Sequence, residues 1–482
     1  MDKIFSLLVF FFACQCLLAQ MVTVSPEINL RSDRAYYLLG QVDESILLFR
    51  DQGDKKILDI FEENLVLSSE RNVDLLSDRA LVYDAINSDT AFSVFYGFRD
   101  EDEVVVQMDV FNATANRVDS AEIFREERSF KALQYEPIIS ENQNIIALYN
   151  ITDRDQMTIL VFDIRRKKTL LNSKYQLVDL NLFEDIKQIE VSDQGDVIIL
   201  YERNNNRSAK DNHFARFIRF LANGTETEEI NLPLRDIVTS DLFFKIDNRN
   251  RRLAVAGLYD EKSRDQSTGY VWINGSIDNW QDEQVFLIPF EDVVFFEVYG
   301  NNKNKKLRNF QVSSMLLKAD GSPILVFEHA RNAVRQNGGI SNFNNTNTFR
   351  GQQGFNSAGW SDHYREDLVV ISLDQNLELD WYHVFYKKQF SQNDNALFSS
   401  YFTFMTPSRV RLIYNDEIKT NSTVSEYIFD GAGNYKRNSL LSTEYQNLRL
   451  IFQYAVQISN SSLIVPSQRN SALSLVKVDY SQ

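Results

Sequence analysis

Short runs of β-branched and aromatic residues, separated by polar turns, recur along the whole chain. No helical pattern of convincing length interrupts them. The runs fall into groups of about four. In a typical group a strand ends in a polar turn, a strongly apolar strand and a polar loop follow, and two further strands flank a tight turn. The middle of the chain shows this best. Residues 189–192, the turn Asp193-Gln194-Gly195-Asp196, and residues 197–201 are followed by a loop of Asn, Arg and Ser. Then come residues 214–221, the turn Asn223-Gly224, and residues 228–232. In the next group Asn274-Gly275 reads as the turn after the strand 270–273.

Equivalent groups begin near Tyr36, Leu81, Gln134, Gln188, Phe243, Gln311, Ser400 and Ile451. Most spacings are roughly 45 to 55 residues, the period of four-stranded propeller blades. The last group shows three clear strands, and the segment 22–30 is placed to supply its fourth. Strands from both termini would then close a ring and remove the exposed edges that make open sheets aggregate. The pattern therefore predicts an all-β chain, an eight-bladed β-propeller. Seven blades, or β-sandwich domains in series, are the alternatives. The scarcity of Gly and Pro, 17 and 7 in 482 residues, argues against a mosaic of domains joined by linkers.

The first residues change the picture from fold to compartment. Lys3 is a short basic region, residues 4–13 are apolar, and Leu17-Leu18-Ala19 precedes Gln20. This pattern predicts a signal peptide over residues 1–19, with 20–482 as a single propeller domain. The expected location is periplasmic or extracellular. Both cysteines, Cys14 and Cys16, fall inside the signal, so the mature chain would use no disulfide. Phe11-Phe12-Ala13-Cys14 loosely matches a lipobox, and anchoring through Cys14 is the competing expectation. No later run reaches the roughly 18 apolar residues of a membrane helix. Peripheral association with the envelope stays open. The net charge of −16 repels phosphate backbones and argues against nucleic acid as a partner.

The stretch 367–386, DLVVISLDQNLELDWYHVFY, continues into Lys387-Lys388-Gln389, Ser399-Ser400-Tyr401 and Arg411-Leu412-Ile413-Tyr414-Asn415-Asp416. It resembles the closing blades of uncharacterised secreted propeller-like proteins of Bacteroidota. That resemblance implies fold and export and supplies no reaction. Within it, Ser372, Asp374 and Trp381 partly match an Asp-box turn, with Asn376 where Gly belongs. Such a turn implies a structural role, the Asp tying the turn and the Trp packing between blades. Asp430-Gly431-Ala432-Gly433-Asn434 and Ala319-Asp320-Gly321-Ser322 read as equivalent hairpin turns that need positive φ.

Candidate chemistry is sparse. The four histidines, His213, His329, His363 and His383, have no metal-ligand spacing, although Glu328-His329 and Asp362-His363 flank one insertion. There is no nucleophile elbow, phosphate loop or calcium loop, and no mature cysteine. No catalytic, cofactor-binding or metal residue is assigned, and no cofactor is expected. The most distinctive segment is the Asn/Gln/Gly-rich insertion at 332–362, which carries Phe343, Phe349, Phe355 and Trp360. Aromatics flanked by amides can stack on sugars or grip a peptide, which makes these four the candidate recognition residues. The sequence thus favours a non-enzymatic binding module for a protein or glycan, or an envelope scaffold. A carbohydrate-active hydrolase with an acidic site in the central channel is the alternative.

Overall fold

The computed structural model describes residues 21–127, 134–178, 180–222, 224, 226–279, 285–301, 303–335, 360–416, 423–442 and 448–480. The chain is an eight-bladed β-propeller of antiparallel four-stranded sheets. Blades 1 to 7 span residues 35–72, 81–127, 136–176, 186–233, 238–289, 310–385 and 402–442. Blade 8 takes Val456–Gln457, Ser462–Arg469 and Ala472–Asp479 from the C-terminus and Met21–Val24 from the N-terminus. Within each blade the strands are lettered a to d from the central channel outwards.

Burial explains why the b and c strands read as near-continuous apolar runs. In blade 1, Ser45–Asp51 and Lys56–Phe61 are buried almost throughout, because both faces of the sheet pack on neighbouring blades. The outermost strand, Leu67–Asn72, is exposed and correspondingly polar. The core is not one mass. It divides into eight apolar clusters, one in each interface between adjacent blades. Tyr37, Phe49, Phe92 and Tyr96 join blades 1 and 2. Phe217, Phe244 and Val271 join blades 4 and 5. Ile28, Leu48, Phe61, Ile464 and Leu475 join blade 8 to blade 1 and close the ring.

The two faces of the ring differ. One carries the a–b and c–d hairpins, and a single turn geometry recurs there. A type I turn ends in a left-handed residue at Leu65, Ala115, Gln143, Gly195, Gly321, Leu377 and Gly433. The turn read as Asp374-Gln375-Asn376 therefore places its positive φ at Leu377. Asp374 Oδ1 accepts the N–H groups of Asn376 and Glu378, 2.8 Å each. Asn274-Gly275 is not a turn, because strand c of blade 5 runs on through Gly269–Ser276 and pairs to its end.

The opposite face carries the b–c and d–a connections, and these are long over blades 4 to 7. A helix at Asp292–Tyr299 lies in one of them. A helix this short shows no second apolar repeat, so the sequence carries no clear signal of it. It ends at Gly300, φ +66°, whose N–H returns to the Phe296 carbonyl, and it seats Val294 and Phe295 in the blade 5–6 core.

Candidate functional site

The long-loop face is built upward from blade 6. Its b and c strands, Pro323–Arg335 and Trp360–Leu373, outrun the blade and remain paired to Arg335↔Trp360. The insertion predicted at 332–362 is thus strand at both flanks. The alternation that drives the pairing continues through residues too polar to read as a strand. A short strand, Gln389–Gln392, adds to the projecting half from Arg365↔Gln389 to Asp362↔Gln392. Phe343, Phe349 and Phe355 lie outside the described residues. Trp360 opens strand 6c opposite Arg335.

The projecting sheet brings together aromatics that the sequence did not connect. The Arg331 guanidinium lies 4.3 Å over the Tyr364 ring, and Tyr364 packs at 5.0 Å on Phe390. These three come from three strands, and no local motif links them. The histidines flanking the insertion take different partners and do not converge. His363 Nδ1 is 3.0 Å from Asn332 Oδ1 and its Nε2 is 3.1 Å from Ser361 Oγ. His329 Nδ1 is 2.8 Å from Glu366. Burial pushes both imidazoles below their ordinary pKa, for His329 against the pull of Glu366. Among the described residues no group of His, Cys, Asp or Glu is arranged to hold a metal.

A buried polar network anchors this hairpin. Lys387 Nζ is 2.6 Å from Glu328, and both side chains are fully enclosed. Lys387 also donates to Gln389 Oε1 at 2.9 Å. Gln389 Nε2 donates to the carbonyls of Ser400 and Asn415, and Ser400 Oγ donates to Glu328 at 3.2 Å. Lys387, Gln389, Ser400 and Asn415 are residues quoted above for the family resemblance. In the fold they join blade 6 to blade 7. Burial pushes Lys387 down, opposed by Glu328. Beside it, Asp367 Oδ1 accepts the Lys387 N–H, and burial raises this carboxyl to about 6.

At the long-loop ends of blades 4, 5 and 6, charged side chains come together. Glu202 is buried and bonded by His213 Nε2 at 2.9 Å, by the Thr239 hydroxyl and by Asn205 at 2.8 Å, with Lys187 at 3.5 Å. Against the raising effect of burial, these partners hold its carboxyl below the ordinary value. Asp241 is different. A bulge in strand a of blade 5, between Ser240 and Phe243, puts it at φ +45° and leaves it accessible. Gly257 makes the bulge possible, since a Cβ there would meet Leu242 Cδ2 at 2.6 Å. Enclosure by the channel wall raises the Asp241 pKa, against the lowering fields of Lys187, Arg264 and Arg365. The neighbouring carboxylates Glu202 and Glu328 are each held in an ion pair, with Lys187 and Lys387.

Trp381 has the structural role read from its turn. Its Nε1 donates to the Gly431 carbonyl at 3.1 Å, and its ring lies where a Cβ on Gly433 would stand.

The fold defines the class of protein: an eight-bladed propeller closed by its N-terminal strand. No protein-family model matches the chain, and comparison with curated proteins gives no match. Among solved structures, it is similar to the β-propeller domain of the Trilobed protease from Pyrococcus furiosus. That match has 13% identity and a TM-score of 0.37, and covers 84% of this chain and 96% of that one. It is similar also to the β-propeller domain of Vanderwaltozyma polyspora Nup133. There the identity is 11% and the TM-score 0.36, over 83% of this chain and 100% of that one. An ulvan lyase solved with a bound saccharide matches at 11% identity and a TM-score of 0.37, over 81% and 90% of the two chains.

Proposed function

We propose that this chain is an exported, non-enzymatic binding module that engages a protein or glycan through its long-loop face. The observation that carries the reading is the asymmetry of the ring. Tight hairpins cover one face, while the other bears long connections and a hairpin that projects beyond its blade. Rigid scaffolds present recognition residues on such loops. Arg331, Tyr364 and Phe390 on the projecting sheet, with Phe343, Phe349, Phe355 and Trp360, make up the recognition set. No helix of the described residues is long and apolar enough to cross a membrane. Export rests on the signal pattern of residues 1–19, and fractionation with N-terminal sequencing tests it. A mature chain beginning at Gln20 in the periplasm or medium is expected.

The binding test replaces residues 336–359 by Asn-Gly, a two-residue turn that fits the last pair Arg335↔Trp360. The immobilised variant should unfold at the same urea midpoint as the parent and lose the component that the parent retains from envelope extract. A folded variant that retains that component overturns the assignment.

A further inference from the structure

Blade 6 changes its strand neighbours halfway along. In the half that belongs to the ring, strand b lies between strands a and c, and Phe310↔His329 is the last pair it makes with strand a. Beyond that pair strand b runs on from Ala330 to Arg335 with strand c on one side only. Gln389–Gln392 covers the far side of strand c, not strand b. One edge of the projecting sheet is therefore open.

The backbone groups on that edge can be named. In an antiparallel ladder, alternate residues turn both N–H and C=O towards the partner strand, and the residues between turn them away. The Ala330 N–H points away from strand c, since it donates to the Asn309 carbonyl at 2.7 Å. The pairing from Ala330↔Arg365 to Arg335↔Trp360 has no bulge, so Asn332 and Val334 point away as well. The opposite strand agrees. Ser361, across from Val334, turns its carbonyl to the Asn393 N–H at 2.9 Å and its N–H to Asn393 Oδ1 at 2.8 Å, away from strand b. Arg331 and Asn332 are both exposed, so the edge is open to solvent there.

An open edge is a template for a further strand, and its charge decides which strand joins it. The projecting half, residues 330–335, 360–365 and 389–392, carries Arg331, Arg335 and Arg365 against one carboxylate, Asp362, which is 1% exposed. The sign of a chain with a net charge of −16 is thus inverted here. Arg331, held over the Tyr364 ring, makes no ion pair among the described residues. A second copy of this edge would set arginine against arginine, whereas an acidic segment complements it.

We propose that this edge takes an extended, acidic segment of a partner protein as an added β-strand, hydrogen-bonded to the backbone of Asn332 and Val334 and matched in charge to Arg331. The proposal rests on the reading of the long-loop face as a binding face and names its partner as protein.

Fluorescence anisotropy of the mature protein with labelled peptides, in about 0.15 M salt, tests it. The peptides are about ten residues long. One alternates Glu with Val or Thr, the second has Lys for Glu, and the third is the Glu peptide N-methylated at alternate residues. Only the first is expected to bind. Val334→Pro removes an N–H that strand c does not use, so the urea midpoint should hold while binding falls about tenfold. Arg331→Glu should weaken the Glu peptide by about tenfold as well. The proposal is overturned if the Lys peptide binds as well as the Glu peptide, if N-methylation changes nothing, or if both variants bind as the parent does. It is overturned equally if light scattering shows a dimer that Val334→Pro dissociates, because a second copy then holds the edge. The 336–359 replacement keeps residues 330–335 and should bind the peptide unchanged. A parent that binds no peptide overturns the edge, whatever the replacement does with envelope extract. A replacement that binds the peptide and keeps the extract component supports the edge and overturns only the role of the insertion.

Discussion

At Asp367, burial inverts the usual part played by a surface acid. Its pKa in the folded chain is about 6, above the ordinary value of about 3.9. Folding therefore favours the neutral form. The stability from this group is fully present below about pH 4 and is lost as pH rises through about 6. Asp367→Asn should remove that slope, which urea midpoints at several pH values between about 4 and 7 would show. An unchanged slope would move the assignment elsewhere. The recurrent left-handed turn position makes a second test with opposite signs. Gly195 sits at φ +97°, and a Cβ there would lie 2.7 Å from Leu170 Cδ1. Gly195→Ala should cost about 1–2 kcal/mol. Gln143 holds the related position in blade 3 at φ +57° and is exposed. Gln143→Gly should stabilise by about 0.5–1 kcal/mol. Sequence alone marks Gly195, Gly321 and Gly433 as turn residues. It cannot mark Gln143 or Leu377, because there the pairing of the flanking strands imposes a conformation the residue itself disfavours.

Elements show a similar division. Most b and c strands were legible, since burial on both faces demands near-continuous apolar runs, although strand c of blade 5 was cut short by reading Asn274-Gly275 as a turn. The projecting half of the blade 6 hairpin was not. Its residues are polar, and it is held as sheet by pairing with Gln389–Gln392 and by the network under it. That network makes a sharp prediction. Lys387→Met leaves Glu328 enclosed without its cation and should cost about 3–5 kcal/mol. Adding Glu328→Gln should recover much of the loss, because a neutral amide tolerates the site. Chemical denaturation of the single and double variants measures both effects, and additive losses would mean that the two side chains act independently. Lys387, Gln389, Ser400 and Asn415 join two blades through this network.

Across the whole molecule, stability depends on closing the ring. Met21–Val24 pairs along strand d's place in blade 8, Ser25 Oγ accepts the Leu475 N–H at 2.8 Å, and Ile28 fills the blade 8–1 core. Removing residues 21–30 would bare the edge of Ala472–Asp479 and open a hydrophobic interface. Such edges recruit other chains. The truncated protein should elute as oligomers in light-scattering chromatography, where the parent serves as reference. A truncation with the parent's molar mass and midpoint would show that closure contributes little.

The sequence by itself determined the β architecture, the blade boundaries and the closing role of the N-terminal segment. Each follows from local alternation repeated at a regular period, and that information is carried by neighbours along the chain. Tertiary structure decided which surfaces are available. Asp241 became accessible through a bulge that Gly257 permits. Tyr364 met Phe390 through a pairing of distant strands. These are meetings of residues far apart in sequence, and no local pattern encodes which side chain will stand opposite which.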